Sequence, residues 1–264
     1  KPIDLSLDVE KIGSNAYAFG SELTDTGRGI LLGNPHYPWQ GPSRFHMAHL
    51  TLPGEIDFMG VGLIATPRLA IGFNETIAWS HTVSTALRFT FFRLDLVPGN
   101  PMAYLVGDQE RSIEAIEVAV ETATGIENRT VYLTHLGPVV AGPSTPWSDQ
   151  HVYVMRDVNY ENYRTGDQYA AMQRSTNVTQ LKQALADHQG AAFVNTIAAD
   201  KAGGALYADM SAIPNVSVDL IARCAVDQSA GARITTLNGS DPSCDWQIDD
   251  SAAAPGLMPP SQQP

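Results

Sequence analysis

The sequence predicts a mostly β, α+β domain, and three observations carry that expectation. Short runs rich in aromatic and β-branched residues fill the first two-thirds of the chain, punctuated by Gly, Pro and Asn. Helical periodicity appears only later, in two consecutive segments. The 264 residues, 44% of them hydrophobic, suffice for a sizeable core, and a charged fraction of 17% leaves little room for long disordered tracts.

The elements follow in order. "NAYAFGS" (15–21), "RFHMAHLTL" (44–52), "IDFMGVGLI" (56–64), "RLAIGF" (68–73), "ETIAWSHTV" (75–83) and "FTFFRLDLV" (89–97) read as strands. "SIEAIEVAVET" (112–122) and "NRTVYLTHL" (128–136) extend the meander. "TGDQYAAMQRS" (165–175) and "NVTQLKQALADHQ" (177–189) carry apolar residues at helical spacing, the second capped by Thr176 or Asn177. "AAFVNTIAAD" (191–200) and "GALYADMSA" (204–212) are two strands joined by "KAGG". The Pro- and Ala-rich end, "DDSAAAPGLMPPSQQP" (249–264), shows no periodicity and reads as a linker or loop.

A formal net charge of -12 and the lack of any basic run argue against a nucleic-acid surface. No apolar stretch is long enough for a membrane-spanning helix; "LIATPRLAIGF" is interrupted by Pro67 and Arg68. The chain opens on "KPIDLS" without a Met, as a processed or excised piece would. Its two cysteines, Cys224 and Cys244, read as a disulfide if the protein is exported and as two buried thiols if it is not. Neither has a His or Cys at metal-ligand spacing.

Among the histidines, His46 and His49 fall on opposite faces of a strand and cannot readily share an ion. His81 closes a strand, where a structural role is expected. His36, in "LLGNPHYPWQG", stands between a strand and a Pro-aromatic turn, a loop suited to holding a rigid polar group against a cavity. No G-x-S-x-G elbow and no phosphate-binding glycine loop occurs.

Three stretches read together say more: "GSNAYAFGSE" (13–22), "GILLGNPHYPWQGPSRFHMAHLTLPG" (29–54) and "IGFNETIAWSHTVSTALRF" (71–89). In that order and spacing the chain resembles the penicillin acylase family of N-terminal nucleophile hydrolases. Within it, the likeness is to the branch of the aculeacin A and acyl-homoserine-lactone acylases. "VNTIAAD" followed by "GALY" (194–207) fits the same branch.

The resemblance implies an αββα architecture, no cofactor, and self-cleavage between Gly13 and Ser14, after which Ser14 heads the large subunit as nucleophile. Residues 1–13 then read as a linker remnant, and 14–264 as part of the large-subunit domain. The missing partners are a small α subunit and the rest of the large subunit, which holds the second oxyanion donor. His36 matches the position beside the nucleophile, and Val83 the position whose backbone N–H meets the developing oxyanion. Tyr37, Leu63, Trp147 and Phe193 match positions near the acyl pocket. The family's calcium carboxylates have no counterpart in "SHTVSTALRF", so no metal is expected there. The resembling enzymes are exported, which implies a periplasmic or secreted bacterial protein and a bridged Cys224–Cys244 pair. The implied activity is hydrolysis of a fatty acyl amide, in a lipopeptide or an acyl-homoserine lactone. A β-lactam side-chain acylase is one alternative. A non-catalytic β-rich fragment, with Ser14 as turn punctuation, is another.

Overall fold

The computed structural model describes residues 13–40, 43–64, 66, 68–226 and 235–264. The expected linker remnant therefore lies, but for Gly13, outside the described residues.

β1 (Gly13–Phe19) and β2 (Ile30–His36) pair antiparallel as a two-stranded sheet. β3 (Phe45–Leu52), β4 (Ile56–Leu63), β5 (Ile71–Phe73) and β6 (Ile77–Val83) follow as an antiparallel meander. β7 (Phe89–Val97), β8 (Asn100–Val106) and β9 (Gln109–Ser112) begin another sheet. β10 (Glu114–Thr122) and β11 (Gly125–Thr134) form a largely exposed ribbon, to which β12 (Gly137–Pro138) adds a short edge. β13 (His151–Asp157) returns to pair with β7. After α1 (Thr165–Arg174) and α2 (Val178–His188), β14 (Val194–Asp200) and β15 (Ala205–Ala208) complete the first large sheet, in the order β15-β14-β6-β5-β4-β3. α3 (Val218–Cys224), β16 (Ala225–Val226) and β17 (Thr236–Asn238) complete the second, in which β17 runs parallel to β7.

Each large sheet has its own core. Phe58 and Trp79 stack at 4.8 Å beneath Tyr169 and Met172 of α1 and Leu181 and Leu185 of α2. The alternation of β7 buries Thr90, Phe92, Leu94 and Leu96, which meet Tyr104, Val152, Val154, Leu237 and Trp246. The disulfide between Cys224 and Cys244, with Cα atoms 5.5 Å apart, staples α3 onto this second core.

The two expected helices form with the predicted cap: the Asn177 side chain accepts from Gln180 N–H, while Gln180 Oε1 accepts from Thr176 N–H and its hydroxyl. β8, β9, β12, β13, β16, β17 and α3 were not foreseen. β9 is wholly exposed and α3 spans only seven residues, too short for a hydrophobic period to register. The C-terminal stretch, expected as a linker or loop, is a packed loop. Met258 N–H donates to Ile213 O, Asp209 N–H donates to Pro264 O, and Leu257 and Gln263 are buried. Tertiary hydrogen bonds hold it where it has no periodic pattern of its own.

The layers place the site. Trp79 and His81 of β6 face the helices, so their neighbours Ser80 and Thr82 face the other way, toward β1 and β2. On β1, after the half-buried Gly13, the half-buried Ser14, Ala16 and Ala18 face the large sheet, while the exposed Asn15, Tyr17 and Phe19 face outward. Small residues permit this close approach: a Cβ on Gly33 would stand 2.8 Å from the Ser80 Cβ. The described residues thus form a ββα stack. The apolar pairs Tyr17–Leu32 and Phe19–Ile30 stay exposed on the outer face of β1 and β2.

Candidate active site

Register alone carries Ser14 to one end of the large sheet. Ser21 N–H donates to Gly203 O and Gly29 N–H to Asp200 O, which fixes the β1–β2 turn over the end of β14. Asp200 pairs with Ile77, so Gly29 sits at the start of β6, and Gly33 lies over Ser80. β2 therefore runs along β6 in the same direction. Two residues further on, at about 3.3 Å each, comes Pro35, the partner of Ser14 in the ladder, so Ser14 lies toward the Val83 end of β6.

At that end β6 and β14 present a compact group. Asn195 pairs with Thr82, and both side chains share the face toward β1 and β2. Asn195 Nδ2 donates to Thr82 Oγ1 at 2.9 Å and to Val83 O at 3.2 Å. The last rung of the ladder is Ser84 N–H to Phe193 O at 2.9 Å. Antiparallel alternation then turns the Val83 N–H toward the other edge of β6. There β5 pairs only with Ala78 and Trp79. Val83 and Phe193 are half exposed, and Phe193 holds a left-handed backbone, φ 62°.

His36 is the ladder partner of Gly13; its Nε2 lies 3.1 Å from Asn34 Nδ2. Its Nδ1 lies 3.4 Å from where a Gly13 Cβ would be, so the ring stands beside the residue preceding Ser14. Strand alternation puts the side chains of Ser14 and His36 on opposite faces. Tyr37 packs on Phe45 with ring centroids 4.9 Å apart, and Phe45 pairs with Leu63, which gathers those two pocket candidates. Trp147 instead packs edge-on to Tyr132 at 4.9 Å, against the second core.

Behind the strand ends sits a buried polar group. His81 Nε2 meets the Tyr169 hydroxyl at 3.1 Å, and its Nδ1 lies 3.1 Å from Asn195 O. Burial lowers the His81 pKa from 6.5 to about 4, against the raising effect of carbonyls of Asn195 and Ala70. Burial raises Tyr169 to about 12, partly offset by Arg68 over its ring. This imidazole is neutral at pH 7. Asn195, Ser84, Arg88 and Asp209 were not singled out by sequence reasoning. Asp209 lies 125 residues from Ser84, whose hydroxyl it accepts, and no local pattern links them. A separate cavity of about 740 Å³ lies between β11, β13 and residues 254–257, and none of the predicted site residues lines it. Among the described residues no helix is long and apolar enough to cross a membrane, and no three potential metal ligands converge.

An inward-facing serine near the start of a strand, layered on a strand-rich sheet backed by helices, defines a fold with a solved counterpart. It is that of a thermostable penicillin G acylase from Alcaligenes faecalis, with a TM-score of 0.73 at 18% identity over 94% of this chain and 41% of that one. Residues 3–264 match the penicillin amidase family, and the chain belongs to it. It is 42% identical over 258 residues to the acyl-homoserine lactone acylase PvdQ of Pseudomonas fluorescens (strain Pf0-1), and 43% identical over 260 residues to the aculeacin-A acylase of Actinoplanes utahensis. Each alignment covers 96% of this chain, which spans about a third (33%) of the length of either relative.

Proposed function

We propose that the protein to which this chain belongs is an N-terminal serine amidohydrolase. It removes a fatty acyl chain from a lipopeptide or an acyl-homoserine lactone; the names of two relatives, an acyl-homoserine lactone acylase and an aculeacin-A acylase, support the reading. The observation that carries this reading is the register that brings Ser14, facing inward, to the end of β6 and β14 that bears Val83 and Asn195.

The chemistry follows from what Ser14 becomes after cleavage of the Gly13–Ser14 bond. Within the chain its nitrogen is an amide and cannot act as a base. Freed, it is an α-amino group with a pKa of about 7.7–8.0, close to the working pH. It takes the hydroxyl proton as Oγ attacks the substrate carbonyl carbon, then returns it to the leaving amine. The Val83 N–H meets the developing oxyanion, a donor worth about 3 kcal/mol in comparable sites. Water then attacks the acyl-serine ester and releases the fatty acid. His36 supports the cleavage junction from beside Gly13. Tyr37, Leu63 and Phe193 border the acyl chain; Trp147 joins them only through the second core.

The partners proposed are a small subunit and the remainder of the large one, in a periplasmic or secreted enzyme. The bare apolar face of β1 and β2 offers them a surface. Ser14→Ala in the full-length precursor tests the reading. The variant is expected to remain uncleaved and inactive, while mass spectrometry of the wild type finds a new N-terminus at Ser14. A cleaved, active Ser14→Ala enzyme would end it.

A further inference from the structure

Arg88 is completely buried, and the chemistry above gives it no task. Its guanidinium donates from Nη1 to Ala86 O at 2.8 Å and from Nη2 to Ser211 Oγ at 2.9 Å, and stands 3.7 Å from Asp209 Oδ1. Asp209 Oδ2 accepts the Ser84 hydroxyl at 2.8 Å, and Ser84 Oγ accepts the Ala86 N–H at 3.1 Å. Ser84 closes the β6–β14 ladder through its bond to Phe193 O. On the other side, the Arg88 guanidinium lies 5.7 Å from the centroid of the Phe193 ring.

The pair therefore touches the residue after Val83 and the residue before Val194, one at each strand end. Stability does not account for it. A buried ion pair gains little over apolar residues of the same volume, and both Arg88 Nε and Asp209 Oδ1 lack a hydrogen-bond partner. Phe193, meanwhile, occupies a backbone region that a bulky side chain enters only when its surroundings impose it. The tail adds a brace: Asp209 N–H donates to Pro264 O and Ser211 N–H to Gln263 Oε1.

We propose that Arg88 and Asp209 are a positioning pair that aims the Val83 N–H at the acyl carbonyl and holds the Phe193 ring as a wall of the acyl pocket. The proposal rests on the acylase reading above. Through the Ser84 side chain, Asp209 holds the residue that makes the last rung of the ladder; that rung fixes the Val83–Ser84 peptide, the next one along from the Thr82–Val83 peptide that carries the Val83 N–H. Without it the strand end frays and the N–H no longer points at the position of the oxyanion.

The test uses the full-length protein. Ser84→Ala removes the hydroxyl link and leaves both charges in place; the charge-free double variant Arg88→Met, Asp209→Leu guards against misfolding of either single variant. Both are expected to keep a Tm near that of the wild type; Ser84→Ala should keep KM within about threefold, while the double variant, which also releases the Phe193 ring, should raise it further. Their kcat should fall about 10- to 100-fold, less than the loss of a whole oxyanion donor. Hydrogen exchange of the backbone amide at position 84 should quicken at least about tenfold in both. Wild-type kcat in the folded double variant would overturn the proposal. Should the wild-type protein prove to have no acylase activity, the acylase reading fails on its own account. The exchange rate at position 84 then decides the coupling, and an unchanged rate in both variants overturns it.

Discussion

Gly33 of β2 lies against Ser80 of β6 so closely that a Cβ on the glycine would stand 2.8 Å from the serine Cβ. This contact sets the distance between the two sheets three residues before Val83, so the position of Ser14 depends on it. Gly33→Val is expected to push the layers apart, destabilise by about 1–3 kcal/mol as overpacking does, and, on the proposed function, lower kcat/KM for acyl hydrolysis by the full-length protein at least about tenfold. Adding Ser80→Gly should recover part of both losses. Thermal melts and acyl hydrolysis by the two variants check this; a fully active Gly33→Val enzyme would show that the spacing does not matter.

The contributions of His81 and Tyr169 to stability should both be complete between pH 6.5 and 10. His81 is held neutral by burial, with its pKa lowered from 6.5 to about 4. The unfolded chain takes up its proton first, so the stabilisation is present above pH 6.5 and is lost as the pH falls toward 4, by about 3 kcal/mol in all. Tyr169 has its pKa raised from 10 to about 12, so its contribution is present below pH 10 and fades as the pH rises toward 12. Denaturant midpoints across pH should show both limbs. His81→Gln should flatten the acid limb and Tyr169→Phe the alkaline one, and an unchanged acid limb in His81→Gln would refute the assignment.

The Cys224–Cys244 bridge spans 20 positions of sequence and ties α3 to the second core. Its removal in a Cys224→Ala, Cys244→Ala double variant is expected to cost about 3 kcal/mol in the chain-entropy picture, seen as a lower Tm with the fold retained. Two thiols freely alkylated in non-reduced, denatured wild-type protein would contradict the pairing.

The acyl-chain preference follows from the proposed function. Each further buried methylene contributes about 0.8 kcal/mol, or roughly fourfold in binding. Specificity constants across an acyl-homoserine-lactone series should therefore climb with chain length until the floor of the pocket is reached, and should exceed that of a phenylacetyl amide. A clear preference for phenylacetyl would move the assignment to side-chain acylases of β-lactams and leave Ser14 in its role.

Local signals made much of the fold legible. Aromatic and β-branched enrichment in "FTFFRLDLV" and "IDFMGVGLI" announced β7 and β4, and helical spacing behind a cap at Thr176 or Asn177 announced α2, because composition, period and capping are properties of neighbouring residues. The family's motifs named Gly13, Ser14, His36 and Val83 as positions to examine. Tertiary structure alone decided how they stand to one another: Ser14 facing the large sheet, His36 beside Gly13 on the opposite face, Trp147 drawn into the second core. It alone brought Asp209 to Ser84 and Arg88 to Phe193, and gave the aperiodic C-terminal stretch an ordered place. The physical reason is the same in each case. A strand's period reveals which residues share a face, but the partner of that face is set by the register and spacing of elements that local sequence does not connect.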